Sequence, residues 1–159
     1  MPPKARSLGS SRSRHKLVVD SETSKRLARI RQHGTSAELR VRQVLHSLGY
    51  RFRISNRDLP GSPDVANRAK RWVVFVHGCF WHRHSGCDRA TTPTRNRAFW
   101  VHKFEENVAR DSRVAKRLRR ERFHVIFVWE CQIENDAARV KRTLHRKLTR
   151  AGISPRKVE

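Results

Sequence analysis

At 159 residues the chain is long enough for one domain with a real core and too short for two comfortable ones. Its 37 Lys and Arg against 14 Asp and Glu give a formal net charge of +23 at pH 7, and because Arg, which pairs bidentately with phosphate, far outnumbers Lys, nucleic acid is the expected polyanionic partner. No window has the unbroken apolar length of a membrane span, the N-terminus lacks the apolar core of a signal peptide, and three cysteines suit a reducing compartment, so the expectation is an intracellular protein in which clustered Cys and His read as metal ligands before disulfides.

Residues 1–19 are rich in Ser, Arg, Pro and Gly without an apolar period, which predicts a disordered basic arm that could settle on a nucleic-acid backbone or simply solubilise the chain. A short helical pattern runs from Ser21 to Gln32 on Leu27 and Ile30, and Gly34 ends it. Thr35 then stands three residues before Glu38 in a capping box, and Ala37, Val41, Val44, Leu45 and Leu48 follow at helical spacing up to Gly49. Tyr50 to Ile54 alternates apolar residues with Arg and predicts a half-buried strand. After the turn chemistry of Leu59-Pro60-Gly61-Ser62-Pro63, Asp64-Val65-Ala66 starts a short strand, and Asn67 to Arg71 reads as a hairpin turn.

The run from Trp72 to Val76 predicts a strand buried on both faces, which spills into a loop of imidazoles and thiols. From Phe99 the residues Val101, Phe104, Val108, Ala115 and Leu118 keep a three-four step, predicting one long helix or two stacked ones to about Glu121. A second buried strand covers His124 to Glu130 and ends at Cys131, and a last helix with Val140, Leu144 and Leu148 on one face closes at Gly152 before a basic tail over 153–159. The predicted class is α/β, a small mixed β-sheet flanked by helices, with one domain over 20–152.

Three groups of residues carry chemistry. Cys79, His84, Cys87 and Cys131 are four soft ligands, the tetrahedral count of a closed structural zinc site if the two buried strands are neighbours; the plainer account leaves Cys131 a core cysteine and the others scattered. Asp64 heads a strand, where hydrolytic nucleases hold magnesium, although a turn carboxylate capping an amide explains it as well. His77 and His82 are then free for proton transfer beside a phosphate, or serve as further zinc ligands or phosphate contacts. If the long helix is continuous, Asp111 faces the sheet and needs a partner, for which His82 is one candidate. Phe80, Trp81 and Trp100 could wedge between base pairs or pack against the zinc loop. Glu38 has a complete account in its capping box.

Taken together, Leu59-Pro60-Gly61-Ser62-Pro63-Asp64, His77-Gly78-Cys79-Phe80-Trp81-His82-Arg83-His84 with Cys87, Pro93-Thr94-Arg95-Asn96 before Phe99-Trp100, Asn107 to Asp111, and Val128-Trp129-Glu130-Cys131 resemble the very short patch repair (Vsr) DNA mismatch endonucleases, in consistent order over roughly residues 20–150. The resemblance implies a restriction-endonuclease-like core and a magnesium-dependent, cytoplasmic bacterial enzyme that nicks duplex DNA 5′ to the thymine of a T·G mismatch. Such mismatches arise where 5-methylcytosine deaminates, which links the enzyme to a cytosine methyltransferase and downstream repair proteins. Carried over, it makes Asp64 and the backbone carbonyl of Val76 magnesium ligands, His82 the general base, His77 a neighbour of the scissile phosphate and Glu38 a support. It makes Cys79, His84, Cys87 and Cys131 the zinc ligands, and Phe80, Trp81 and Trp100 the wedge. Family members often carry Thr where this chain has Val76, but the implied ligand is a main-chain oxygen. The rival readings are a zinc-stapled, non-catalytic protein that binds distorted duplex, and a nickase for a different lesion.

Overall fold

The computed structural model describes Lys25 and residues 34–156, so the basic arm expected over 1–19 and, Lys25 apart, the helix expected over 21–32 lie outside the described residues. The elements are α1 (Ser36–Ser47), β1 (Val65–Asn67), β2 (Trp72–His77), α2 (Arg97–Arg120), β3 (His124–Trp129), α3 (Glu130–Asn135) and α4 (Ala137–Arg150). Thr35 caps α1 as its sequence predicts, its hydroxyl oxygen accepting from the Glu38 amide at 3.2 Å. Among the described residues no helix is long and apolar enough to cross a membrane.

Three strands form one mixed sheet in the order β1-β2-β3. The short turn after Asn67 returns the chain antiparallel, with Val65 opposite Val74. A parallel partner needs a long crossover, and α2 supplies it, so that β3 runs beside β2 from the pair Trp72 and His124 to the pair His77 and Trp129. Alternate residues of the central strands then serve two cores. Trp72, Val74, Ile126 and Val128 pack with Val41 and Leu45 of α1, Ile133 of α3 and Leu144 and Leu148 of α4. On the opposite face Val73 and Phe75 pack with Leu118 of α2 and with Phe123. Coverage on both faces is why β2 reads as an unbroken apolar run rather than an alternating one.

Four expectations are corrected. Tyr50 to Ile54 is not a strand: only Arg53 pairs, as an isolated bridge to Ala66. The chain turns away at once, with Ser55 at φ 58° and the Asn56 side chain donating to the carbonyls of Arg53 and Pro63. The helix from Arg97 is continuous, but Val101 and Val108 are exposed, and its sheet-facing stripe is Trp100, Phe104, Asn107, Ala115 and Leu118. Polar residues displace the valines because each has a bonding partner on the sheet side, as described below. Cys131 lies in the first turn of α3 rather than at a strand end. Finally, the expected tail is part of the domain through residue 156: Ile153 is in the core, Lys70 Nζ donates to the Ser154 carbonyl, and the Arg156 amide donates to the Gly49 carbonyl.

The loop before β1 is fixed by one close approach. Gly61 has φ +72°, and a Cβ there would lie 2.5 Å from Cγ1 of Val114 on α2. Gly61→Ala is therefore expected to destabilise the domain by about 2–4 kcal/mol, combining left-handed strain with overpacking. Pairing it with Val114→Ala should recover the overpacking part, which denaturant melts of the single and double variants would measure.

Candidate active site and metal centre

Parallel pairing brings the C-terminal ends of β2 and β3 to one edge of the sheet, and the chemistry-bearing residues gather there. The Asp64 carboxylate, just ahead of β1, accepts from the Val76 amide at 2.7 Å through Oδ2. A strand residue sends its N–H and C=O to the same edge, so the Val76 carbonyl leaves β2 on the side that Asp64 occupies. One carboxylate and one carbonyl side by side are hard oxygen donors of the type that magnesium takes, with water and phosphate completing its shell.

One residue further along, the buried His77 ring stacks on His82, with centroids 3.8 Å apart and planes 11° apart. His82 comes from the loop after β2, where its amide donates to the Gly78 carbonyl. Its Nδ1 lies 2.5 Å from Oδ2 of Asp111 on α2, the partner that this carboxylate needs on the sheet side. With Nδ1 engaged, Nε2 is the nitrogen left to exchange a proton. Burial acts to raise the Asp111 carboxyl, but the hydrogen bond and the charge of His82 outweigh it and hold the group below its ordinary value. At His77 burial prevails: assisted by repulsion from His82, it lowers the imidazole from 6.5 to about 3, so it is neutral at pH 7.

That shift has a sign. Between pH 6.5 and about 3 the unfolded chain binds the His77 proton and the folded one does not, so this residue's contribution is fully present above pH 6.5 and is lost as pH falls through that window. Thermal melts from pH 7.5 to 4.5 are expected to show a shallower acid decline for His77→Gln than for the parent. The difference in slope should approach about 1 kcal/mol per pH unit in mid-window.

On the far side of the same loop, Cys79, His84, Cys87 and Cys131 place one donor atom each within 4.8 Å of all the others. The His84 Nδ1 atom lies 3.6 Å from the Cys79 Sγ and 3.3 Å from the Cys131 Sγ. A tetrahedral site with ordinary zinc-ligand bond lengths has sulfur-to-nitrogen edges of about 3.5 Å, so the spacing fits a four-coordinate soft cation. Burial pushes the Cys79 thiol up to about 12 and raises Cys131, whereas the Arg89 amide lowers Cys87. A divalent cation would supply the charge that holds Cys79 and Cys131 as thiolates.

Phe80 and Trp81 form a third group between these two. They meet edge-on at 5.0 Å over Trp100 and Phe104 of α2. Trp100 is buried and forms the floor, so the faces left for a ligand belong to the half-exposed Phe80 and Trp81. Glu38 has no described contact with any of the three groups: its carboxylate accepts from Gly34 and Thr35 and pairs with Arg42, as its capping box predicts.

The sequence reading missed three supporting residues. Trp129 stacks on His84 at 4.3 Å and 12°, and meets His77 edge-on at 5.4 Å, so one ring braces both the thiol cluster and the histidine pair. Asn107, buried on α2, donates to the Trp81 carbonyl and fixes that ring's backbone. Arg83 lies over the Phe104 ring at 4.7 Å and donates to the carbonyls of Ala90 and Thr91, tying the loop across its width. Only Asn107 left a signal in the sequence, as a polar residue three positions after Phe104 and seven after Trp100 on one helix.

A family model described as DNA mismatch endonuclease Vsr matches residues 17–89. The chain is 43% identical over 109 residues to the type II nicking enzyme V.XorIIP of Xanthomonas oryzae pv. oryzae, covering 69% of this chain and 79% of the relative. It is 38% identical over 118 residues to the type II nicking enzyme V.NmeAIP of Neisseria meningitidis, covering 72% and 84%. It is also 38% identical over 117 residues to the DNA mismatch endonuclease Vsr of Escherichia coli, covering 73% and 74%.

Proposed function

Because the chain belongs to the Vsr family of DNA endonucleases, we propose that it nicks one strand of duplex DNA on the 5′ side of the thymine in a T·G mismatch. Deamination of 5-methylcytosine is the source of that mismatch in this reading, so the enzyme works in the bacterial cytoplasm alongside a cytosine methyltransferase and downstream repair proteins. The order helix, two strands, crossover helix and parallel strand supports a restriction-endonuclease-like core for the domain over 20–152. The observation that carries the reading is the stacked His77 and His82 pair, oriented by Asp111, at the strand end where Asp64 meets Val76.

In the proposed mechanism, Asp64 and the Val76 carbonyl hold magnesium, which when bound supplies Lewis-acid stabilisation of charge on the phosphoryl group. His82 takes the proton of the attacking water through Nε2, and Asp111 keeps the imidazole turned and stabilises the cation that forms. His77, neutral at pH 7, donates or accepts a single hydrogen bond beside the scissile phosphate without adding charge. In-line displacement joins the water oxygen to phosphorus and breaks the bond to the 3′ oxygen, which takes a proton from solvent, leaving a 5′-phosphate and a 3′-hydroxyl. Cys79, His84, Cys87 and Cys131 would hold a structural zinc, and their convergence would pin the loop that carries Phe80 and Trp81 so that these rings can enter the base stack. Glu38 supports this site by anchoring the start of α1 rather than by touching the reacting groups.

Strand-resolved cleavage of a labelled T·G duplex and its T·A parent tests the proposal. With magnesium, the thymine strand of the mismatched duplex alone should be cut, and chelation should stop it. Two intact duplexes would point to a binding protein, and equal cutting of the T·A parent to a nickase that reads sequence rather than the mismatch.

A further inference from the structure

β3 is the edge of the sheet, and the side away from β2 carries no strand among the described residues. His124 turns its backbone toward β2, where its amide donates to the Arg71 carbonyl, so the residues alternate and Val125 and Phe127 turn theirs outward. Trp129 shares that outer side, but its amide is taken by the Gln132 side chain, which closes the edge at one end. Between this edge and α4 lies a groove of about 1010 Å³, roomy enough for a segment of extended chain.

Its charge is one-sided. Arg139, Arg142 and Arg146 recur at helical spacing along α4, Lys147 lies beside them and Arg119 closes the opposite wall, against a single lining carboxylate, Asp136. That carboxylate is already engaged, since it caps α4 by accepting from the Arg139 amide at 2.8 Å. None of the five cations makes an ion pair with a described residue. The chain's own residues 1–33, with nine Lys and Arg against two acidic residues, have the wrong sign to fill the groove.

We infer that this groove is a docking site for an acidic, extended segment of a partner protein, which adds to the sheet beside β3 and sets carboxylates against the arginines of α4. A nucleic-acid backbone fits less well. The open edge alternates N–H donors with C=O acceptors, which another peptide strand satisfies in full, whereas a phosphodiester offers acceptors alone and would meet the carbonyls with like charge. The site also runs along the side of the sheet: it reaches the strand end at Trp129 and Cys131, but His77, His82, Phe80 and Trp81 do not line it. The inference does not depend on the mismatch reading.

The test uses the full-length protein and a fluorescein-labelled peptide of four Val-Glu repeats, read by fluorescence anisotropy at physiological salt. Binding is expected, weakened about tenfold or more by Arg142→Gln with Arg146→Gln. A protein of this net charge attracts any acidic peptide, so two N-methylated peptides supply the decisive control. Methylating amides at every second residue in one register should abolish binding, and in the other register should leave it, because only one set of amides faces β3. Equal binding of both methylated peptides, or no binding of the parent peptide up to about 200 µM, overturns the inference. So does a loss of T·G duplex affinity in the double variant as large as its loss of peptide affinity, which would assign the groove to DNA.

Discussion

Asp64→Ala and His82→Ala are each expected to bind mismatched duplex and to cut it on the order of 10³-fold more slowly, as measured under single-turnover conditions. Binding survives because affinity for duplex comes mainly from the surplus of Lys and Arg, and removing Asp64 deletes an anion that would sit near a phosphate. Cutting fails for two different reasons. Asp64→Ala removes the carboxylate of the paired oxygen donors at the Val76 edge, and raising the magnesium concentration should restore little, since one main-chain carbonyl is a poor site by itself. His82→Ala removes the imidazole whose orientation the Asp111 carboxylate fixes beside His77. Asp111→Asn should fall between parent and His82→Ala, because the amide can still hold the ring but cannot stabilise the imidazolium. Cutting by either alanine variant at more than about a tenth of the parental rate would refute the assignment of its residue.

The elements legible in the sequence were those whose signal is local. The capping box at Thr35 and Glu38, the apolar run from Trp72 and the stripe of Val140, Leu144 and Leu148 each depend on residues a few positions apart, and the structure has α1, β2 and α4 where they predict. What local pattern cannot weigh is competition from distant partners. Tyr50 to Ile54 alternates as a strand should, but a bend at Ser55 and the two bonds of Asn56 limit pairing to Arg53. In α2 the apolar count favours Val101 and Val108 as the inward face. A carbonyl at Trp81 and an imidazole at His82 instead draw Asn107 and Asp111 toward the sheet, which leaves both valines exposed. The juxtaposition of Cys131 with the loop thiols was legible because it needs only that two buried strands be neighbours. The double contact of Trp129 was not, because a ring's two faces leave no trace in residue order.

Cys131→Ala is expected to lose one equivalent of bound zinc, the folded state and cutting together, unlike Asp64→Ala, which should keep its zinc and its melting curve. The size of the effect follows from what else could hold the loop. Residues 78–96 lie between β2 and α2 without regular structure, a span longer than compact domains ordinarily leave unsupported. Among its own side chains only Cys79 is fully buried. Other ties are present, among them short-range backbone bonds, the hydrogen bonds of Asp111 with His82 and of Asn107 with the Trp81 carbonyl, and the packing of Phe80 and Trp81 on α2. The Arg83 contacts add to these, as does the ion pair of Arg89 with Glu134 on α3, which is half-exposed and so worth little. Each joins the loop at a single point, where a four-ligand metal site would join it at three and add α3. Metal affinity in structural zinc sites amounts to about 10 kcal/mol, comparable to the whole stability of a small domain, and three ligands cannot close a tetrahedron. The same cluster joins the loop to the first turn of α3, so its loss unseats Trp129 from His84 and, through that ring, the support under His77. Elemental analysis with circular-dichroism melts measures this directly. A Cys131→Ala protein that retains stoichiometric zinc and melts within about 2 °C of the parent would show that the thiol cluster is not what holds the catalytic loop.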